Sequence, residues 1–91
     1  MIALKDGRLA LTYGYRRSPY GVRARLSGDN GRTWSPDIIL RDDGRLWDLD
    51  YARTVQRADG KLLTAYYFND ATQKERYIAA TIWDAGKRAD R

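Results

Sequence analysis

The stretch Ser27-Gly28-Asp29-Asn30-Gly31-Arg32-Thr33-Trp34 constrains the fold more than any other part of the chain. Ser and Asp side chains accept backbone N–H bonds inside tight connections. Gly31 takes a positive φ at little cost, and Trp34 is large enough to fold beneath the turn as an apolar plug. Such a stretch is a tight connection between two strands. Its flank agrees: Gly21–Ser27 alternates apolar and basic residues with period two, the repeat of a strand with one face covered.

The same texture runs through the chain. Leu9–Tyr15 is β-rich and follows the turn signal Asp6-Gly7. Leu62–Phe68 is β-rich and follows Asp59-Gly60, and Tyr77–Trp83 is a further β-like run. No stretch of about 11 residues holds apolar positions at helical spacing beside a cap. The turn and strand start are spelled twice, as Asp6-Gly7-Arg8-Leu9 and Asp59-Gly60-Lys61-Leu62, a shift of 53 residues. Each copy leads into a Tyr-rich run, a polar loop and another β run. A strand–turn–strand unit of about 40–50 residues is the size of a propeller blade.

Composition removes several chemistries. With no Cys and no His, there are no disulfides, thiolate zinc sites, imidazole ligands or His-activated nucleophiles. No metal and no cofactor is expected. No apolar run approaches the roughly 18 residues of a membrane-spanning helix, and Met1–Lys5 does not read as a signal peptide. The net charge of +5 comes from 13 Arg and 4 Lys against 12 acids. The Arg are dispersed through strand-like segments. Guanidinium suits bidentate recognition of carboxylate or phosphate, while a solvated basic surface accounts for the excess equally well.

The octapeptide fits Ser-x-Asp-x-Gly-x-Thr-Trp and resembles the Asp-box, or BNR repeat, of the sialidase superfamily. Tyr13-Gly14-Tyr15-Arg16 with Pro19–Arg23, and Asp48-Leu49-Asp50-Tyr51 with Val55-Gln56, extend the resemblance over most of residues 6–83. It implies an all-β fold: about two antiparallel four-stranded blades of a six-bladed β-propeller, forming a C-terminal fragment. One blade would span residues 4–40 with the Asp-box at 27–34, and an incomplete last blade would span 51–83.

In that family a tyrosine attacks the anomeric carbon, three Arg clamp the substrate carboxylate, and an Asp and a Glu handle protons. The resemblance therefore implies Tyr51 as catalytic nucleophile and Arg16, with Arg23 as second choice, as substrate-binding residues. It makes Ser27, Asp29, Gly31, Thr33 and Trp34 structural, away from the substrate face. Tyr51-Ala52 departs from the family's frequent Tyr-Ser, and Tyr51 reads equally as a strand tyrosine. Arg23 and Arg25 share one strand face and read equally as solvated. Asp48 and Asp50 read as turn residues before an acid–base pair. Glu75 is the only glutamate.

The implied function is part of a glycoside hydrolase removing terminal sialic acid or a related sugar, inactive as this fragment. The alternative is a non-catalytic carbohydrate-binding propeller module. A small basic β-barrel binding nucleic acid by stacking and charge is a further rival, which the octapeptide argues against, so no nucleic acid and no membrane partner is expected. The resemblance leaves a secreted or periplasmic location open.

Overall fold

The computed structural model describes residues 1–44, 50–70 and 73–86. They form seven strands: β1 (Ile2–Ala3), β2 (Leu9–Tyr15), β3 (Tyr20–Ser27), β4 (Ile38–Gly44), β5 (Asp50–Gln56), β6 (Leu62–Asp70) and β7 (Gln73–Trp83). Every pairing is antiparallel. Strands β1 to β4 make one meander. Strands β5, β6 and β7 make a second, with β6 in the middle. One residue pair, Gly44 with Asp70, joins β4 to β6. Packing therefore resolves the structure into a four-stranded and a three-stranded sheet stacked face to face. The described residues close no ring.

The repeat in the sequence is a repeat in structure. Leu4 N–H bonds to Arg8 O at 2.8 Å and Gly7 N–H to Leu4 O at 3.0 Å; 53 residues on, Arg57 N–H bonds to Lys61 O at 2.8 Å and Gly60 N–H to Arg57 O at 3.0 Å. Gly7 and Gly60 carry φ of 92° and 88°, which is why glycine stands in both turns. The strand register also repeats: Ile2 pairs with Ala10 as Val55 pairs with Leu63, and Ala3 with Leu9 as Gln56 with Leu62.

Period two decides what is buried. In the first sheet, Ala10, Val22 and Ala24 face inward at 1% exposure or less, and in the second, Leu62, Thr64, Tyr66 and Phe68 do so at 2% or less. Val22, Tyr66 and Phe68 pack as one cluster; Leu4, Ala10 and Leu62 form another towards the opposite end. A chain of hydroxyls crosses between the sheets: Thr12 to Thr54 at 2.9 Å, Thr54 to Thr64 at 2.8 Å, and the Trp83 indole N–H to Thr64 at 2.9 Å. Indole only donates, so its N–H must run towards Thr64. Thr64 is fully buried, and its own hydroxyl proton is satisfied by running on to Thr54.

Strand β4 reads poorly as a strand in sequence, with Arg41, Asp42 and Asp43 in seven residues. Arg41 explains it. Its guanidinium lies 4.1 Å from the Phe68 ring centroid and donates to Asp43 at 2.7 Å and to the Tyr77 hydroxyl at 3.0 Å. The bond to the Asp43 carboxylate holds its pKa above the usual arginine value. Register shifts between Tyr20 and Arg23 let β4 close on β3. There the Arg41 carbonyl oxygen comes so near Gly21 that an added Cβ would lie 1.8 Å from it.

Candidate functional site

The registers sort the connections into two ends. The turns at Asp6-Gly7 and Asp59-Gly60 and the Ser27–Trp34 turn lie at one end. The 15–20 connection and the start of β5 lie at the other. The octapeptide is thus remote from Tyr51. Within it the Ser27 hydroxyl accepts from Gly31 N–H at 2.9 Å and donates to Asp29 at 2.8 Å. The Asp29 carboxylate takes Thr33 N–H at 2.8 Å and the Thr33 hydroxyl at 2.5 Å. Those bonds, the Thr33 hydroxyl first, lower the Asp29 pKa to about 2. Gly31, at φ 88°, sits above Trp34 and Leu9, with an added Cβ meeting their atoms at 3.8 and 3.7 Å.

At the other end Tyr51 is unusual. The register of β5 on β6 shifts between Asp50 and Arg53, and Tyr51 absorbs the bulge at φ 56°. For a side chain with a Cβ that conformation costs about 1–2 kcal/mol. The residue is 79% exposed, its ring edge-on to Tyr67 with centroids 6.3 Å apart and planes at 66°. On one side of it is a groove of about 440 Å³ along the β5 edge, walled by Tyr51, Arg53 and Val55 with Ile2, Thr12 and Thr54. On the other side is a shallow apolar cleft of about 340 Å³ against Ala65, Tyr67 and Ile78. Arg53 is exposed and borders both.

The first sheet carries a second cluster on its outward face. Asp37 is held by Arg23 at 3.0 Å, by Arg25 at 2.5 Å and by the Tyr13 hydroxyl. These bonds, Tyr13's first, lower the Asp37 pKa to about 2, while burial and the bond to Asp37 raise that of Tyr13. Arg23 also lies flat on Tyr15, 3.5 Å from its centroid. Arg23, the second choice for the clamp, and Arg25, which shares its strand face, both grip Asp37, 14 and 12 residues along the chain.

Arg16 is exposed just beyond β2, at the same end as Tyr51. No hydrogen bond or ring contact joins the two among the described residues. Arg23, in mid-strand, is bound to Asp37. Asp48, weighed with Asp50 as an acid–base pair, lies outside the described residues. Among those described, no carboxylate bonds to the Tyr51 hydroxyl, and none forms a cluster able to hold a metal ion. Sequence reasoning missed Arg53 and Tyr67: a lone Arg and one Tyr of a Tyr-Tyr pair carry no signal until the bulge turns Tyr51 towards them.

Two face-to-face antiparallel sheets built on a repeated strand–turn–strand unit define the class. No family model matches the chain, and no curated protein matches it. A crystal structure of a protein of unknown function from Dyadobacter fermentans DSM 18053 is similar, with a TM-score of 0.79 and 38% identity over 91% of this chain. The chain spans 23% of that protein's length. The sialidase resemblance is corrected by these findings. The match falls on a protein of unknown function, and the chain forms two open sheets rather than a closed propeller. The Ser-x-Asp-x-Gly-x-Thr-Trp pattern is satisfied by local turn chemistry at the end away from Tyr51. The nucleophile role implied for Tyr51 rested on that resemblance.

Proposed function

We propose that the chain is a non-catalytic carbohydrate-binding β module whose site is the groove beside Tyr51. The observation that carries this reading is a bulky aromatic held outward at positive φ, 79% exposed, on the wall of an open groove. Backbone strain of this kind persists where surrounding structure enforces it, and it concentrates at ligand sites. A pyranose ring offers an apolar C–H face and a rim of hydroxyls. Tyr51 supplies a ring for the face, and Thr12 and Arg53 supply polar partners at the rim. Arg53 favours a sugar bearing a carboxylate, since guanidinium pairs bidentately with it. With this reading we take the two repeated sheets as successive blade-like units.

The test is titration of the chain with sialic acid, glucuronate and a neutral hexose, followed by amide chemical shifts. Saturable shifts confined to residues 51–55 and 12, lost in Tyr51→Ala while the thermal melt stays cooperative, support the reading. Shifts absent for all three sugars, or unchanged in Tyr51→Ala, refute it.

A further inference from the structure

The repeat equates not only strands but faces. Shifting β2 by 53 residues onto β6 sets Leu9, Leu11, Tyr13 and Tyr15 on Leu62, Thr64, Tyr66 and Phe68, and sets Ala10, Thr12 and Gly14 on Leu63, Ala65 and Tyr67. Within the chain the two sheets meet head to tail: the Ala10 face of the first sheet covers the Leu62 face of the second. Two faces are left over, and the repeat makes them a complementary pair. They are the Leu9–Leu11–Tyr13–Tyr15 face of the first sheet and the Leu63–Ala65–Tyr67 face of the second.

Strands β3 and β7 sharpen the point. Val22, Ala24 and Leu26 pair with Gly14, Thr12 and Ala10; Ile78, Ala80 and Ile82 pair with Tyr67, Ala65 and Leu63. The two triplets hold equivalent places and near-identical side chains. Val22 and Ala24 are 0% exposed beneath the second sheet, whereas Ile78 and Ile82 are 81% and 54% exposed, with Val55 beside them at 58%. Within β5, β6 and β7, Arg53 is the one charged residue at this face among the described side chains. An apolar patch of this breadth marks an interaction surface.

We propose that the exposed face of the second sheet docks the Leu9–Tyr15 face of a second copy of this chain, continuing the internal stacking between molecules. The contact is heterologous: each molecule offers a different face at each side, so assembly closes into a ring or runs on as a filament. On the receiving copy, Arg23 lies flat against Tyr15 and Arg25 is paired to Asp37, which leaves one net positive charge to meet Arg53. That repulsion is weak and screenable, so added salt strengthens the assembly.

Sedimentation equilibrium of the purified chain tests this. The weight-average mass should rise with protein concentration beyond that of a dimer, and rise further with salt. Ile78→Glu blocks one face and Leu11→Glu the other. Each variant alone should be monomeric, and an equimolar mixture should form a 1:1 complex through the two intact faces. Because Leu11 is half-buried, Ile39→Glu on the same face, at a residue 54% exposed, serves as its folding-neutral counterpart. A wild-type chain that stays monomeric overturns the proposal. So does assembly lost in Ile78→Glu but intact in both Leu11→Glu and Ile39→Glu, which would mean like faces pair across a two-fold axis.

Discussion

Replacing Thr54 by valine tests the hydroxyl chain between the sheets. Valine keeps the shape and the β-branch, so no cavity opens and strand propensity changes little. What is lost is the acceptor of the Thr64 hydroxyl, at 2.8 Å, on a residue with 0% exposure. Water cannot replace it. A buried donor left unpaired costs about 1–3 kcal/mol, and in a domain of this size each kcal/mol moves the melting temperature by about 4–8 °C. Thr12→Val is the control, because Thr12 is half-exposed at the open end of the chain; its cost should stay below about 1 kcal/mol. The double variant Thr54→Val/Thr64→Val should cost less than the two singles together, since it removes the orphaned hydroxyl as well as its partner. Urea unfolding followed by tryptophan fluorescence measures all four. Thr54→Val matching Thr12→Val, or strict additivity in the double variant, would refute the directed chain.

Gly21→Ala drives a Cβ to 1.8 Å from the Arg41 carbonyl oxygen; β4 must move, and a loss of about 3 kcal/mol is expected by thermal melting. Tyr51→Gly and Tyr51→Ala both delete the ring, but only glycine sits freely at φ 56°, so Tyr51→Gly should be the more stable of the two by about 1 kcal/mol in the same assay. Asp29 and Asp37 both have folded-state pKa values lowered to about 2. Their unfolded values are higher, near about 3.9, so their stabilisation is complete above about pH 5 and is lost as pH falls through about 2. Urea midpoints across that window should drop, and drop less in Asp37→Asn.

Four of the strands were legible because their alternation or β-rich texture is uninterrupted: Leu9–Tyr15, Gly21–Ser27, Leu62–Phe68 and Tyr77–Trp83 each lie inside or on an observed strand. Strand β4 was not, because Arg41 is half-buried by its contact with the Phe68 ring rather than by its hydropathy. The repeat was visible at two turns, but its consequence for faces needed the register. Arg23 could not be assigned from sequence, since Asp37, which decides its role, arrives from beyond the octapeptide. Tyr51 was singled out for a chemistry that the comparisons do not support. Its left-handed backbone was illegible, because tyrosine is among the residues least expected there.

The topology also sets an order in time. Apart from the single Gly44–Asp70 pair, every strand pairs with its neighbour in sequence. Hairpin closure of this kind takes about 1–10 μs, whereas bringing the two meanders together closes a far longer loop. The meanders therefore form first, and their docking is the late event on the folding path. Within the threonine chain the Thr12–Thr54 bond spans that docking surface, so breaking that bond should leave the folding rate nearly unchanged and quicken unfolding.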